Sequence, residues 1–141
     1  WDTAQAFANR PMLVYFGSTY CPDVCPTTLL DMVVASEATA VDEALVFVSV
    51  DPARDSVADL AAYTDLFDPH LHGFTGTPTA LEAVKTDWAI FSARHDSPEF
   101  TDYLLDHTTL TFLTDAQHRV VEVFRDSATA ATIADAINTR F

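Results

Sequence analysis

The sequence predicts an α/β sandwich, a central mixed sheet flanked by helices, and three observations carry that expectation. Two short, almost wholly apolar runs, residues 11–16 (PMLVYF) and 45–50 (LVFVSV), have the pattern of strands buried on both faces. Each is followed by a stretch with apolar residues at steps of three and four, the period of a helix. The last third of the chain holds two more strand-like runs and a final helical one.

The elements follow in order. The first strand ends at Gly17. Beyond a cysteine-containing segment, Leu30, Val33 and Val34 recur at helical spacing and predict a helix from about 26 to 39. The second strand, 45–50, is rich in β-branched residues. Ser56 with Asp59 three positions on is similar to a capping box, in which each side chain satisfies the other residue's backbone N–H. Leu60, Tyr63 and Phe67 then share the inner face of a second helix. Thr77-Pro78 supplies an N-cap followed by proline at the first helical position, where a missing N–H is harmless. Leu81, Val84, Trp88 and Phe91 mark the third helix, and His70 and His72 flank a short surface loop before it. Residues 92–106 are mixed and polar and read as a loop or an extra hairpin. Residues 108–113 and 119–124 form two strands joined around 115–118, an antiparallel hairpin. Ser127 begins the last helix, with Ala130, Ile133, Ala134 and Ile137 on one face. The order β, α, β, α, α, β, β, α matches a thioredoxin-like α/β sandwich. With 141 residues and no linker, repeat or low-complexity stretch, 1–141 reads as one domain.

Composition narrows the function. Apolar residues make up 49% of the chain, enough for a core, and 21 Asp plus Glu against seven Lys plus Arg give a formal charge of −14. Nucleic-acid affinity rests on cationic side chains releasing counterions from phosphates, so DNA and RNA are excluded as partners. An anionic membrane surface is disfavoured for the same reason. No apolar run approaches the ~20 residues that span a bilayer. The first residue is Trp1, not Met, so the chain reads as processed or cut from a longer parent. The acidity fits either attraction to a positively charged partner surface or a general solubility trait, in a chain whose only lysine is Lys85.

The chemistry centres on the segment YFGSTYCPDVCP, residues 15–26, where a strand hands over to a helix. Backbone N–H groups at a helix start carry partial positive charge, which favours thiolate over thiol and makes cysteine a better nucleophile and metal ligand. Cys21 and Cys25 are four apart, which puts both sulfurs on one side if the first turn is helical. Their Cα atoms then lie roughly 6 Å apart, within disulfide range. Two arbitrary cysteines are often a structural bridge or simply packed thiols. Here they are flanked by prolines at a strand-to-helix corner, and a bridge closing so short a loop contributes little chain entropy. The pair therefore suits either a soft metal or a dithiol–disulfide cycle.

Two thiolates alone suit Cu(I) or redox work, and an added imidazole also admits Cu(II). Of the five histidines, His107 stands in Asp106-His107-Thr108-Thr109, at the entry to the strand 108–113. In a thioredoxin-like sandwich the loop entering that strand faces the cysteine loop, so His107 can reach the sulfurs, with Asp106 a candidate to orient its ring. Taken alone, a strand-edge histidine is more often solvated or packed than ligating. His118 falls in the expected turn. His95, in the variable segment, is the one competitor for the third ligand position.

These residues resemble the Sco/SenC family of copper-binding assembly proteins. The resemblance runs through LVYFGSTYCPDVCPTTL (13–29), VSVDPARDS (48–56), GFTGT (73–77) and DHTTLTFLTD (106–115), nearly the whole chain. It implies a thioredoxin-like fold and one copper ion, Cu(I) or Cu(II), held by Cys21, Cys25 and His107. It implies a role in assembling the binuclear copper centre of cytochrome c oxidase subunit II, by donating copper, by reducing that subunit's cysteines, or both. It also implies an N-terminal membrane anchor in the full-length parent, with the domain facing the bacterial periplasm or the mitochondrial intermembrane space, the periplasm being favoured. The family's anchor and its first β segment are not found before residue 11, which is read as truncation. Tyr20 stands before Cys21 where many relatives carry His or another residue. Asp51, Arg54 and Asp55 match the family's DPxRD stretch and are expected to shape a loop and meet a partner as exposed charges.

Two functions follow. As a copper chaperone, the chain exchanges ligands one at a time with an acceptor's cysteines, from an exposed loop. As a thiol–disulfide oxidoreductase, Cys21 attacks a partner disulfide and Cys25 resolves the mixed disulfide, with a thiol reductant as a further partner. The spacer of three residues departs from the two of thioredoxins. His107 stands where thioredoxins place a cis-proline, which favours metal binding.

Overall fold

Every residue of β1 (Met12–Gly17) is buried, and so is every residue of β2 (Ala44–Ser49), which fixes these two strands at the centre of the sheet. The computed structural model describes residues 7–21, 24–95 and 104–141, with the side chains at 24, 94, 95 and 104–106 outside that description. The chain continues from β1 into α1 (Val24–Glu37), and from β2 into α2 (Val57–Asp65), β3 (Leu71–Phe74) and α3 (Pro78–Asp87). It then forms β4 (Ser92–His95), β5 (Leu104–His107), β6 (Leu110–Thr114), β7 (Val120–Arg125) and α4 (Ala130–Arg140). Five strands make one sheet in the order β3-β2-β1-β6-β7, with β1, β2 and β3 parallel and β6 and β7 antiparallel; β4 and β5 pair as a separate antiparallel ribbon. This is the sandwich that the sequence predicts.

Period-two alternation along the central strands sends side chains into two cores. Leu13, Tyr15, Leu45 and Phe47 face one side, where they meet Cys25, Leu29, Met32 and Val33 of α1, Leu60 of α2, and Ile133 and Ile137 of α4. Met12, Val14, Phe16, Val46 and Val48 face the other, against Leu81 of α3, Ile90 and Phe112. Burial on both faces explains why these strands read as continuous apolar runs rather than alternating ones.

Local signals set most helix starts. Ser56 and Asp59 form the capping box, and Thr77 caps α3 with Pro78 in its first turn. The last helix starts later than expected, capped by Thr129 rather than Ser127. Four further differences stand out. His70 and His72 are exposed as expected, but residues 71–74 form an edge strand rather than a loop, and beside it Gly73 lets α2 approach: a Cβ there would meet Leu60 and Thr64 at 3.2 Å. Helix α1 starts two residues before the expected 26 and buries a different stripe, since Leu30 and Val34 are exposed while Leu29, Met32 and Val33 face the core. Helix α3 stops at Asp87, where Ala89 takes a left-handed conformation (φ 55°), so Phe91 lies beyond it and is exposed. The strand expected from 108 begins at Leu110, whereas the polar segment 92–106 does contain an extra antiparallel pair, the β4–β5 ribbon, one of the two forms expected of it.

Sheet pairing decides what lies near the cysteines. Strand β6 runs antiparallel to β1 with Thr111 opposite Tyr15, so the chain entering β6 arrives at the end where β1 passes into the cysteine segment. His107 closes β5, opposite Ser92, three residues before β6 begins. Its position is held from the other side by Thr108, whose N–H donates to the Phe91 carbonyl at 2.8 Å.

Candidate metal centre

Cys25 lies in the first turn of α1 and is fully buried against Tyr15 and Gly17, while Cys21, just before the helix, is partly exposed. The Cys25 backbone N–H donates to Cys21 Sγ at 3.4 Å. This is the local form of the expected helix-start effect: an N–H with no partner inside the helix meets the sulfur. His107 Nε2 stands 3.5 Å from Cys25 Sγ, and the three ligand atoms all lie within 4.8 Å of one another. Among the described residues this is the one group of three or more His, Cys, Asp or Glu side chains so arranged.

The ring of His107 is oriented by a backbone group. Its Nδ1 lies 2.9 Å from the Thr108 carbonyl, an acceptor only, so Nδ1 carries a proton and Nε2 is the nitrogen turned toward the sulfurs. The side chain of Asp106, the candidate for that role in the sequence, lies outside the described residues, as does that of His95. The remaining histidines are engaged elsewhere: His70 pairs with Asp68, His72 meets the Phe7 ring at a tilt, and His118 Nε2 bonds the Phe7 carbonyl.

Electrostatics divide the two thiols. A hydrogen bond from the Cys25 thiol, above all, pulls Cys21 well below the ordinary thiol range, with the His107 ring and the Cys25 N–H adding to it and partial burial opposing. Cys25 moves the other way, held protonated first by donating to Cys21 and next by its burial. The pair thus holds one proton, on the inner sulfur, and presents a thiolate on the outer one.

Three supports around these residues are not legible as such in the sequence. The Tyr15 hydroxyl lies 3.8 Å from Cys25 Sγ, and its ring meets the His107 ring edge to face at 6.1 Å. Gly17 leaves the space that Cys25 needs, because a Cβ there would come within 2.6 Å of Cys25 Sγ. The third support corrects the reading of the DPARD stretch. Asp51 and Asp55 are buried, at 3% and 1% exposure, and Arg54 is nearly so, its Nε 2.6 Å from Asp51 Oδ2. Asp55 accepts from the Ser49 hydroxyl and from both the N–H and the hydroxyl of Thr19. These charges are internal struts of the cysteine loop, not a solvated surface.

Two thiol sulfurs and one imidazole nitrogen form a soft donor set, fitted to Cu(I) and, with the imidazole, to Cu(II). Bonds of about 2.0–2.3 Å place the donors around one such ion within roughly 4–4.6 Å of each other. The observed separations, all within 4.8 Å, are close to that span.

Comparison with known proteins agrees. The sequence profile of the SCO1/SenC family matches residues 2–141. Protein SenC of Rhodobacter capsulatus is 39% identical over 139 residues, covering 96% of this chain and 62% of that protein. The human mitochondrial SCO1 homolog is 32% identical over 142 residues, 97% of this chain and 47% of that one. The chain thus spans about half to three fifths of the length of these relatives. Among solved structures, copper-bound ScoI of Arabidopsis thaliana superposes with a TM-score of 0.91 at 28% identity, over 96% of this chain and 86% of that one. Copper-bound ScoI of Bradyrhizobium japonicum gives 0.84 at 33% identity, over 97% and 88%. A peroxiredoxin Q of Xanthomonas campestris, at 18% identity and a TM-score of 0.67, shares the thioredoxin-like fold. The chain belongs to the SCO1/SenC family.

Proposed function

We propose that this chain binds one copper ion through Cys21 Sγ, Cys25 Sγ and His107 Nε2 and delivers it to a copper-accepting protein. The observation that carries the reading is the cluster itself: two sulfurs four positions apart and an imidazole nitrogen from 82 or more residues further on, all within 4.8 Å. Copper is cargo here, and the difference between the sulfurs suits handover. Cys25 is the inner anchor; Cys21, partly exposed, is the sulfur an acceptor's thiolate can displace first. The acceptor is the binuclear copper site of cytochrome c oxidase subunit II, or another copper-accepting protein. Relatives in a bacterium and in mitochondria support a location in the periplasm or the intermembrane space.

One observation favours a second reading, as a thiol–disulfide oxidoreductase: two free thiol sulfurs, one partly exposed and one buried, lie within 4.8 Å of each other. In that reaction Cys21 attacks a partner disulfide, forming a mixed disulfide and expelling one partner thiolate. Cys25, giving up its proton, then attacks Cys21 and releases the second. The partner gains two electrons, this chain ends as a disulfide, and an external thiol reductant restores it.

Titrating the reduced protein with Cu(I) and with Cu(II) tests the proposal. The expected result is one ion per chain, with sulfur-to-copper charge-transfer absorption in the Cu(II) form. His107→Ala separates the two readings, since it should lower copper affinity more than about 100-fold while leaving dithiol oxidation largely intact. Unchanged copper retention in that variant, with loss in His95→Ala, would move the third ligand to His95.

A further inference from the structure

The turn that carries Cys21 is held by a chain of contacts reaching it from the loop after β2. Cys21 N–H donates to the Ser18 carbonyl at 3.1 Å, closing a tight turn with Tyr20 at its third position, and Tyr20 N–H donates to Ser18 Oγ at 3.1 Å. The Tyr20 ring projects outward and is 54% exposed, an unusual setting for a large aromatic residue. It is not loose. The Arg54 guanidinium lies over the ring, 4.1 Å from its centroid, and Asp51 holds that guanidinium from below, with 10% and 3% side-chain exposure for the two. Asp51 Oδ2 also lies 3.5 Å from Ser18 Oγ, so the strut touches the turn at both its first and third positions.

From this geometry we infer that Arg54 is a positioning residue for metal exchange. Clamped by Asp51 and stacked on Tyr20, it fixes the turn so that Cys21 stays next to Cys25 and His107, and thereby slows the opening by which Cys21 releases a bound ion. The inference rests on the copper-binding reading for its kinetic part; the structural part, that Arg54 and Tyr20 hold the turn through one shared contact, concerns the metal-free chain. The physical basis is specific. A guanidinium offers a flat face to an aromatic ring and a fork to a carboxylate at once, which lysine does not, and such a stack at an exposed site is worth about two- to fivefold in an equilibrium.

The test uses Tyr20→Ala, Tyr20→Phe, Arg54→Lys and the double variant Tyr20→Ala/Arg54→Lys. In the metal-free reduced proteins, hydrogen exchange at the Tyr20 and Cys21 amides should speed up about two- to fivefold for Tyr20→Ala and Arg54→Lys. The amides of β1 should not change. Tyr20→Phe, which keeps the ring face, should behave as wild type. In the Cu(I)-loaded proteins, release to an excess of a chromogenic Cu(I) chelator should quicken by a similar factor. In both assays the double variant should be no worse than the poorer single one, since both substitutions break the same contact. Additive effects, a Tyr20→Phe variant as impaired as Tyr20→Ala, or faster exchange throughout β1 would overturn the inference. If wild type takes up no copper, the proposed function fails, while hydrogen exchange still decides the positioning role. If wild type binds copper and the variants release it at the wild-type rate, the positioning role in exchange fails and the function stands.

Discussion

After β1 the chain turns through Ser18, Thr19 and Tyr20 to Cys21; after β2, its parallel neighbour, it turns through Asp51, Arg54 and Asp55. Both segments leave the sheet at the same end, joined where Val50 N–H donates to the Gly17 carbonyl at 2.8 Å. Their chemistry is divided. The first holds a partly exposed sulfur at a helix start, open to ligand exchange. The second buries two carboxylates and directs them into the first, onto Ser18, Thr19 and, through Arg54, Tyr20. A buried carboxylate is tolerated only when its oxygens are well bonded, and satisfying them is what ties the loops together. One loop does the chemistry and the other keeps it in place.

The comparison can be broken most severely at Asp55. Replacing it with alanine strips the Thr19 N–H, the Thr19 hydroxyl and the Ser49 hydroxyl of their acceptor, and chemical denaturation should show about 3 kcal/mol less stability. Asp55→Asn, which retains one acceptor oxygen, should lose less. A loss for alanine no larger than that of an ordinary surface change would mean that the second loop is not a strut.

The division between the two sulfurs is nearly as large an effect. In the reduced, metal-free protein at neutral pH, iodoacetamide should modify Cys21 about 100-fold faster than Cys25, read by peptide mass spectrometry, because the outer sulfur is the thiolate and the inner one is buried. A depressed pKa means the charged form persists as pH falls. The Cys21 rate should therefore hold between pH 8 and 6, where an ordinary thiol with pKa near 8.5 loses about tenfold per unit. Equal rates at the two cysteines, or a Cys21 rate falling like that of a free thiol, would remove the asymmetry on which the proposed handover rests.

Gly17→Ala sharpens the point from beneath. The added methyl would collide with Cys25 Sγ and with Phe47, and the overpacking should cost about 2 kcal/mol and displace the inner sulfur from His107. Copper affinity should fall with stability in this variant. The smallest effect, and a control, lies away from both loops. Ala89 sits in a left-handed conformation after α3, so Ala89→Gly should gain about 1 kcal/mol and leave copper binding unchanged.

Much of this was written locally. The capping box at Ser56 and Asp59, the Thr77-Pro78 start and the apolar runs of β1 and β2 depend on neighbours within a few residues, so their sequence signals are direct. Other features were not. Strand β3 is four residues long and contains a glycine, too short to show a period; it becomes a strand only because β2 offers it an edge. Helix α1 is apolar on more than one side, and which stripe is buried depends on where the sheet and α4 lie, which is why Leu30 and Val34 face outward. The DPARD charges read as exposed because charged side chains usually are; burial came from partners 33 or more positions upstream, Ser18 and Thr19.

The sequence alone determined that Cys21 and Cys25 share a strand-to-helix corner, that the sheet is mixed, and that a histidine before the third long strand was available as a third donor. Those facts follow from spacing and period, which act over one turn or one strand. Only the tertiary structure decided that His107 Nε2 reaches within 3.5 Å of Cys25 Sγ, with its ring turned by the Thr108 carbonyl. It also decided that Cys25 is the inner, protonated sulfur and Cys21 the outer one. Antiparallel pairing of β6 with β1 closes a loop of more than 80 residues, and the desolvation and hydrogen bonding that separate two identical thiols arise only once that loop is shut.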